Sequence, residues 1–164
     1  MAFAALGACT TASQPLVQTG VAYQPGEGDW AAKGGENAIT GNALLRTVGG
    51  DVKTCAGYTA QLIPSSPYAD ARIRAIFPNG TYRSAYDGIN LEQPSTDYSS
   101  TVKTTTCDSQ GNFAFRNLAD GTYYVIAQVT WGIPNRYYTS TEGGMILRKV
   151  TVSGGRTENV VLTQ

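Results

Sequence analysis

The chain has 164 residues, no histidine, Lys+Arg and Asp+Glu at 12 each, and only 15% charged residues. That length allows one domain of ordinary size plus a tail, and zero net charge argues against nucleic-acid binding or docking on anionic lipid through a polybasic patch. No stretch approaches the ~20 apolar residues of a membrane-spanning helix, and 19 glycines with 10 tyrosines are the composition of turn-rich strands rather than of βαβ units.

In chain order the first signal is Leu6, Gly7, Ala8 and Cys9: an aliphatic residue and two small ones ahead of a cysteine. This resembles the lipobox of bacterial lipoproteins. Residues 1–9 are then a lipoprotein signal segment, short and without Lys or Arg, and Cys9 carries acyl chains that attach the protein to a membrane. The other reading is an ordinary cysteine in a tail. Thr10 stands where an Asp typically retains lipoproteins at the inner membrane, so the outer membrane is the expected site. Residues 10–36 are polar and Gly-rich and read as a flexible tether, with Tyr23 and Trp30 as the side chains able to dock on the folded domain.

The folded part is expected over 37–164. Asn42 to Arg46 reads as a strand, Gly49 to Asp51 as a turn, and Thr54 to Ile63 as a second strand ending at Pro64. Pro67 to Phe77 is the one helix expected: Pro67 suits a first turn, and Ala69, Ile73, Ile76 and Phe77 recur at helical spacing. Tyr82 to Thr101 is polar and irregular. Val102 to Cys107 and Asn112 to Arg116 flank Asp108 to Gly111 and read as a hairpin. In the strand from Tyr123 to Trp131, residues Tyr123, Val125, Ala127, Val129 and Trp131 share a face taken as the core face, opposite Gln128 and Thr130. Gly132 to Glu142 reads as a long loop carrying Arg136, Tyr137 and Tyr138, and short strands around Val150 and Val160 close the chain. The sum is an all-β, seven-or-so-stranded antiparallel Greek-key β-sandwich with one short helix.

Asp108, Gly111, Phe113, Phe115, Leu118, Gly121 and Tyr123 fall in an Asp-x-x-Gly-x-Phe-x-Phe, Leu-x-x-Gly-x-Tyr pattern. This resembles the hallmark of carboxypeptidase regulatory-like domains, also described as prealbumin-like or CnaB-like sandwiches, over roughly Asn37 to Gln164. The resemblance implies a sandwich serving as a stalk, spacer, assembly module or ligand platform. Two family chemistries depart here. The first strand offers Arg46 where a self-formed bond to an Asn such as Asn159 needs Lys, and transthyretin-like hydrolysis relies on histidine, which the chain lacks.

Cys55 and Cys107 lie in predicted strands and are expected to pair in an oxidising compartment, leaving Cys9 unpaired. The alternatives are two buried thiols or a metal site, the latter short of Cys and His ligands. Without histidine no Ser-His-Asp or Cys-His arrangement is available, so no enzyme, cofactor or metal is expected. Asp108 with Asn112 only loosely resembles a calcium loop. Trp131, Arg136, Tyr137 and Tyr138 are of the types found in binding hot spots and suited to stacking on sugar rings. The structural reading, with Trp131 ending a core strand and the tyrosines covering an edge, is preferred. The expectation is a non-enzymatic envelope lipoprotein whose sandwich is a structural or protein-interaction module, with envelope proteins as partners. The alternative is a carbohydrate-binding module using the Trp131–Tyr138 region.

Overall fold

Alternation along β1 (Asn37–Arg46) sets the first sheet: Ile39, Ala43 and Leu45 turn inward and are buried, while Thr40, Asn42 and Leu44 face outward. The computed structural model describes residues 14–164, so Cys9 and its lipobox-like surroundings lie outside the described residues. On one edge β1 pairs antiparallel with β2 (Val52–Thr54) and β6 (Asn112–Leu118), and it pairs in parallel with β9 (Thr157–Leu162). β2 and β6 share that edge end to end, since Ala43 donates to the Gly111 carbonyl and accepts from the Cys55 amide. Gly41 is required here: a Cβ at this position would stand 2.7 Å from the Phe113 ring laid over it.

The second sheet has the order β4 (Tyr82–Ser84), β8 (Thr139–Val152), β7 (Gly121–Pro134), β3 (Thr59–Pro64), β5 (Lys103–Thr106), and all its pairs are antiparallel. Ile39, Leu45, Leu62, Phe113, Phe115, Leu118, Val125, Val129, Ile146 and Leu162 fill the space between the sheets. The all-β sandwich expected from the sequence is therefore observed, with nine strands among the described residues, paired antiparallel except for β1 with β9.

Cys55 and Cys107 form a disulfide buried in this core. It ties the turn after β2 in one sheet to the end of β5 in the other, closing a sequence separation of 52 residues. The chain-entropy account gives such a closure roughly 4 kcal/mol of stabilisation.

Helix α1 (Pro67–Ile76) begins where Ser66 accepts from the Ala69 amide at 3.1 Å, with Pro67 in the first turn, and ends at Phe77, as its sequence predicts. It lies on the outer face of the second sheet, where Tyr68, Ala69, Ile73 and Phe77 pack on Ile63, Tyr124, Ile126 and Leu147. This corrects the single core face expected for β7. Tyr124 and Ile126 are as buried as their neighbours, because a helix covers the side that alternation assigns to solvent.

Other expectations change for related reasons. The expected strand from Thr54 to Ile63 is broken at Cys55 to Gly57, where Tyr58 donates back to the Cys55 carbonyl at 2.8 Å and Gly57 takes φ +76°. Asp108 to Gly111 is no hairpin, since β5 and β6 belong to different sheets and the turn hands the chain across. The polar stretch from Tyr82 to Thr101 supplies β4 and a short helix α2 (Thr96–Thr101), capped by Ser95 on the Tyr98 amide at 3.1 Å.

Residues 14–36 lie along the sandwich. Val17 bridges to Leu91, and Tyr23 packs edge-on against Tyr68 and Tyr98 with ring centroids 5.5 and 6.2 Å away. Trp30 sits in a single 3-10 turn (Asp29–Lys33), its ring 5.0 Å from that of Tyr123 and directly over Gly121. The second core yields a test. Ile126→Ala is expected to lower stability by ~2–5 kcal/mol, read by urea unfolding, as for a buried aliphatic; a cost under ~0.5 kcal/mol, the mark of a surface site, would contradict the packing.

Candidate functional site

The pairing of β7 with β8 outruns both neighbours. β3 leaves β7 at Ala127 and β4 leaves β8 at Gly144, yet β7 and β8 stay in register to Pro134 opposite Thr139. The expected loop from Gly132 to Glu142 is thus mostly a two-stranded ribbon projecting from the sheet. Only Asn135 to Tyr138 turn, closed by the Asn135 amide on the Tyr138 carbonyl at 2.7 Å. Asn135 also braces the turn with its side-chain amide, donating to Ser140 Oγ at 3.2 Å.

The four residues singled out in the sequence part company here. Tyr137 and Tyr138 stand at the tip, 85% and 67% exposed, with the Arg136 guanidinium 5.5 Å over the Tyr137 ring. Their hydrophobic area faces solvent rather than covering an edge. Trp131 instead is partly buried against the sandwich core, and its ring closes over Gly143. It packs on the core at the foot of the ribbon, and the strand does not end there but runs on to Pro134.

Register brings in two residues that sequence reasoning missed. Glu142 lies directly opposite Trp131, on the same face of the ribbon, and Ser140 opposite Ile133. Tyr86, just past β4 and 60% exposed, donates its hydroxyl to Glu142 Oε1 at 2.6 Å. That hydrogen bond to a carboxylate pushes the Tyr86 phenol above its ordinary pKa. Glu142 was reachable as the cross-strand partner of Trp131 once the hairpin is recognised; Tyr86 carries no sequence signal of its own.

A second surface is a groove of about 600 Å³ on the outer face of the first sheet, lined by the outward residues of β1, β6 and β9 and by β5. Asn42 donates to Asn112 Oδ1 at 3.3 Å, and Asn159 to Thr40 Oγ1 at 3.2 Å. Asp108 takes hydrogen bonds from the Asn112 side chain at 3.0 Å and from the Asn112 and Gln110 amides at 2.8 and 2.9 Å. These donors, the Asn112 side chain foremost, hold the Asp108 carboxyl below the usual range. Its oxygens are spent on its own turn, which corrects the loose likeness to a calcium loop. Among the described residues no three His, Cys, Asp or Glu side chains gather as a cation site.

No known protein family and no curated protein matches the chain. Among solved structures it is similar to a candidate carbohydrate-binding protein of Pseudomonas aeruginosa. The two share 26% identity and a TM-score of 0.71, over 87% of this chain and 97% of that one. The likeness spans nearly the whole described sandwich. A chlorocatechol 1,2-dioxygenase of Pseudomonas putida also matches, at 14% identity and a TM-score of 0.29, over 78% and 61% of the two chains. That similarity is too slight to bear on chemistry.

The turn at Asp108 is open to direct measurement. Its folded pKa is depressed, so its contribution to stability is full above the ~3.9 of an unfolded Asp and is lost as pH falls through the lower folded value. Carboxyl-carbon NMR titration is expected to place Asp108 below the other exposed aspartates, and Asn112→Ala to return it toward them. An unmoved Asp108 in that variant would show that the side-chain bond is not the cause.

Proposed function

We propose that this chain is a non-catalytic carbohydrate-binding module of a bacterial cell envelope, and that it holds glycan at the tip of the β7–β8 ribbon. The observation that carries the reading is the pair Tyr137 and Tyr138, exposed on a braced turn beside Arg136. Flat apolar rings on a rigid support offer stacking surface to a sugar at little entropic cost, and the guanidinium supplies donors for hydroxyls or acidic groups. Glu142, Ser140 and the Tyr86 hydroxyl extend the polar part of the surface down the ribbon. The likeness in fold to a candidate carbohydrate-binding protein supports the same reading.

A non-enzymatic role is consistent with the absence of histidine from the chain and with the Asp108 carboxylate being engaged in its own turn. Membership of the carboxypeptidase regulatory-like group is favoured by the way the hallmark residues are used: Phe113, Phe115, Leu118 and Tyr123 in the core, Gly111 and Gly121 at positive φ. The disulfide fits an oxidising compartment outside the cytoplasm. Within that compartment the proposed form of the protein is a lipoprotein acylated on Cys9 and directed to the outer membrane. A second reading, docking of an envelope protein on the same tip, is favoured by Arg136 and Tyr137, which are hot-spot residue types.

On a glycan array the full chain is expected to give specific hits, and Tyr137→Ala and Tyr138→Ala each to weaken them by roughly tenfold or more, the scale of a hot-spot side chain. Melting temperatures should not change. Loss of binding only together with loss of stability would refute a surface site. Retention of a defined envelope protein, with no glycan hit, would favour the second reading. For the anchor, intact mass of native protein extracted from membranes should carry acyl chains on Cys9, and an unmodified thiol there would refute lipidation.

A further inference from the structure

Two arginines are buried outside the ribbon, and they are treated differently. Arg83, 9% exposed, is satisfied by carbonyls: Ile76 at 2.7 Å, Asp87 at 2.6 and 2.9 Å, Gly88 at 2.8 Å. Arg72, on α1 and 7% exposed, is not. Its Nη1 donates to the Glu92 carbonyl at 2.9 Å and approaches the Tyr68 hydroxyl at 3.5 Å, and the Tyr98 phenol also meets the guanidinium, while Nε and Nη2 reach no carbonyl or carboxylate among the described residues. Its charge lies 5.6 and 5.7 Å from the ring centres of Tyr68 and Tyr98. No carboxylate reaches ion-pair distance of it among the described residues, where the single ion pair joins Lys53 to Asp51; the Glu92 carboxylate, near enough for Arg72 to help lower its pKa, is hydrogen-bonded to the Thr19 amide and hydroxyl.

A buried cation without a counter-ion is costly, and two aromatic faces offset only part of that cost. Every fully buried side-chain nitrogen among the described residues has a partner, so the two idle nitrogens of Arg72 are reachable from a void. That void is a cavity of about 390 Å³ between α1, α2 and the outer face of the second sheet, roofed by the segment from Ile89 to Pro94. Its walls are mainly Ile63, Ile76, Ile89, Leu91, Val102 and Met145, with Gln61, Tyr98 and Ser99 as polar members beside the guanidinium. The volume falls in the ~300–1,000 Å³ range of small-molecule sites. A mainly apolar pocket with one cation in its wall and no carboxylate in ion-pair contact is complementary to a molecule with one negative end and an apolar body.

We infer that this cavity binds a small amphipathic monocarboxylate of the fatty-acid class, its carboxylate on Arg72 and its chain against Ile89, Leu91 and Met145. The site is separate from the ribbon tip and does not depend on glycan binding there. An acidic sugar would meet the same cation, but Gln61, Tyr98 and Ser99 are few partners for its ring of hydroxyls among walls that are mostly hydrocarbon.

The test is calorimetric titration of the native, disulfide-bonded chain with decanoate, decanol and glucuronate at neutral pH. Decanoate should bind once per chain, decanol at least roughly tenfold more weakly because it lacks the charge-assisted bond, and glucuronate not at all. Arg72→Met should fold with an unchanged or raised melting temperature, since an unpaired buried charge is replaced by an apolar side chain, and should lose the preference for decanoate over decanol. Ile89→Trp fills the chamber without touching Arg72 and should abolish both. Absence of saturable decanoate binding, equal affinity for acid and alcohol, or preference for glucuronate would each overturn the inference. So would an Arg72→Met protein that melts lower yet binds as before, which would make Arg72 a packing residue. If Arg72→Met fails to fold, Ile89→Trp decides: undiminished decanoate binding in that variant places the ligand elsewhere.

Discussion

Tyr123 to Ala127 of β7 are packed from both sides at once. Tyr123, Val125 and Ala127 close the space between the sheets, while Tyr124 and Ile126 receive α1 and the residues around it. β3 and β8 on either side also feed both hydrophobic clusters, through Leu62 and Ile63 and through Ile146 and Leu147, but β7 lies between them and neither cluster is complete without it. Its partner β8 stays paired along fourteen residue pairs, from Gly121 opposite Val152 to Pro134 opposite Thr139. The molecule is therefore a sandwich with a third, partial layer. The ribbon projects from this one strand pair, while the cavity roof is held by Arg83 at its start and by Arg72 and Val17 along it.

Around that axis the other constraints are local. The Cys55–Cys107 bond and the Asp108 turn both lie where the chain passes between sheets, at the ends of ladders whose last rungs join Cys55 to Ala43 and Cys107 to Gly57 and Tyr58. Asp108 organises its turn by accepting from its own backbone, and the disulfide fixes the residue before it. Arg83 gathers the carbonyls at the end of α1 and after β4 into one node, which anchors the start of the cavity roof.

The sequence announces what is decided locally. Pro67 and the spacing of Ala69, Ile73, Ile76 and Phe77 define α1 nearly to the residue, because a first-turn proline and periodicity are properties of the segment itself. The inward set of β7 is legible for the same reason. Tyr124 and Ile126 are not, since alternation has no view of a helix arriving on the far face. Asp108 to Gly111 has the chemistry of a tight turn whether its flanking strands pair or part, and only the partners chosen by β3 and β1 show that they part. Gly132 and Pro134 look like strand breakers, yet an edge ribbon tolerates them because it leaves amides free on its open side. At the candidate site, residue type alone singles out Arg136, Tyr137 and Tyr138. Glu142 is found through register and Tyr86 through its hydrogen bond to Glu142, while Asn42 meets Asn112 and Asn159 meets Thr40 only through strands far apart in the chain.

The two tryptophans occupy opposite ends of β7. Trp30 rests on Gly121 and Tyr123 at its start, and Trp131 lies at the foot of the ribbon. Each indole is partly buried, and each is held by a different event: one by the docking of residues 14–36 on the sandwich, the other by closure of the long hairpin. The fold thus carries an optical reporter at each pole. Detachment of the N-terminal segment and fraying of the ribbon would change emission independently, and only collapse of β7 itself would change both together.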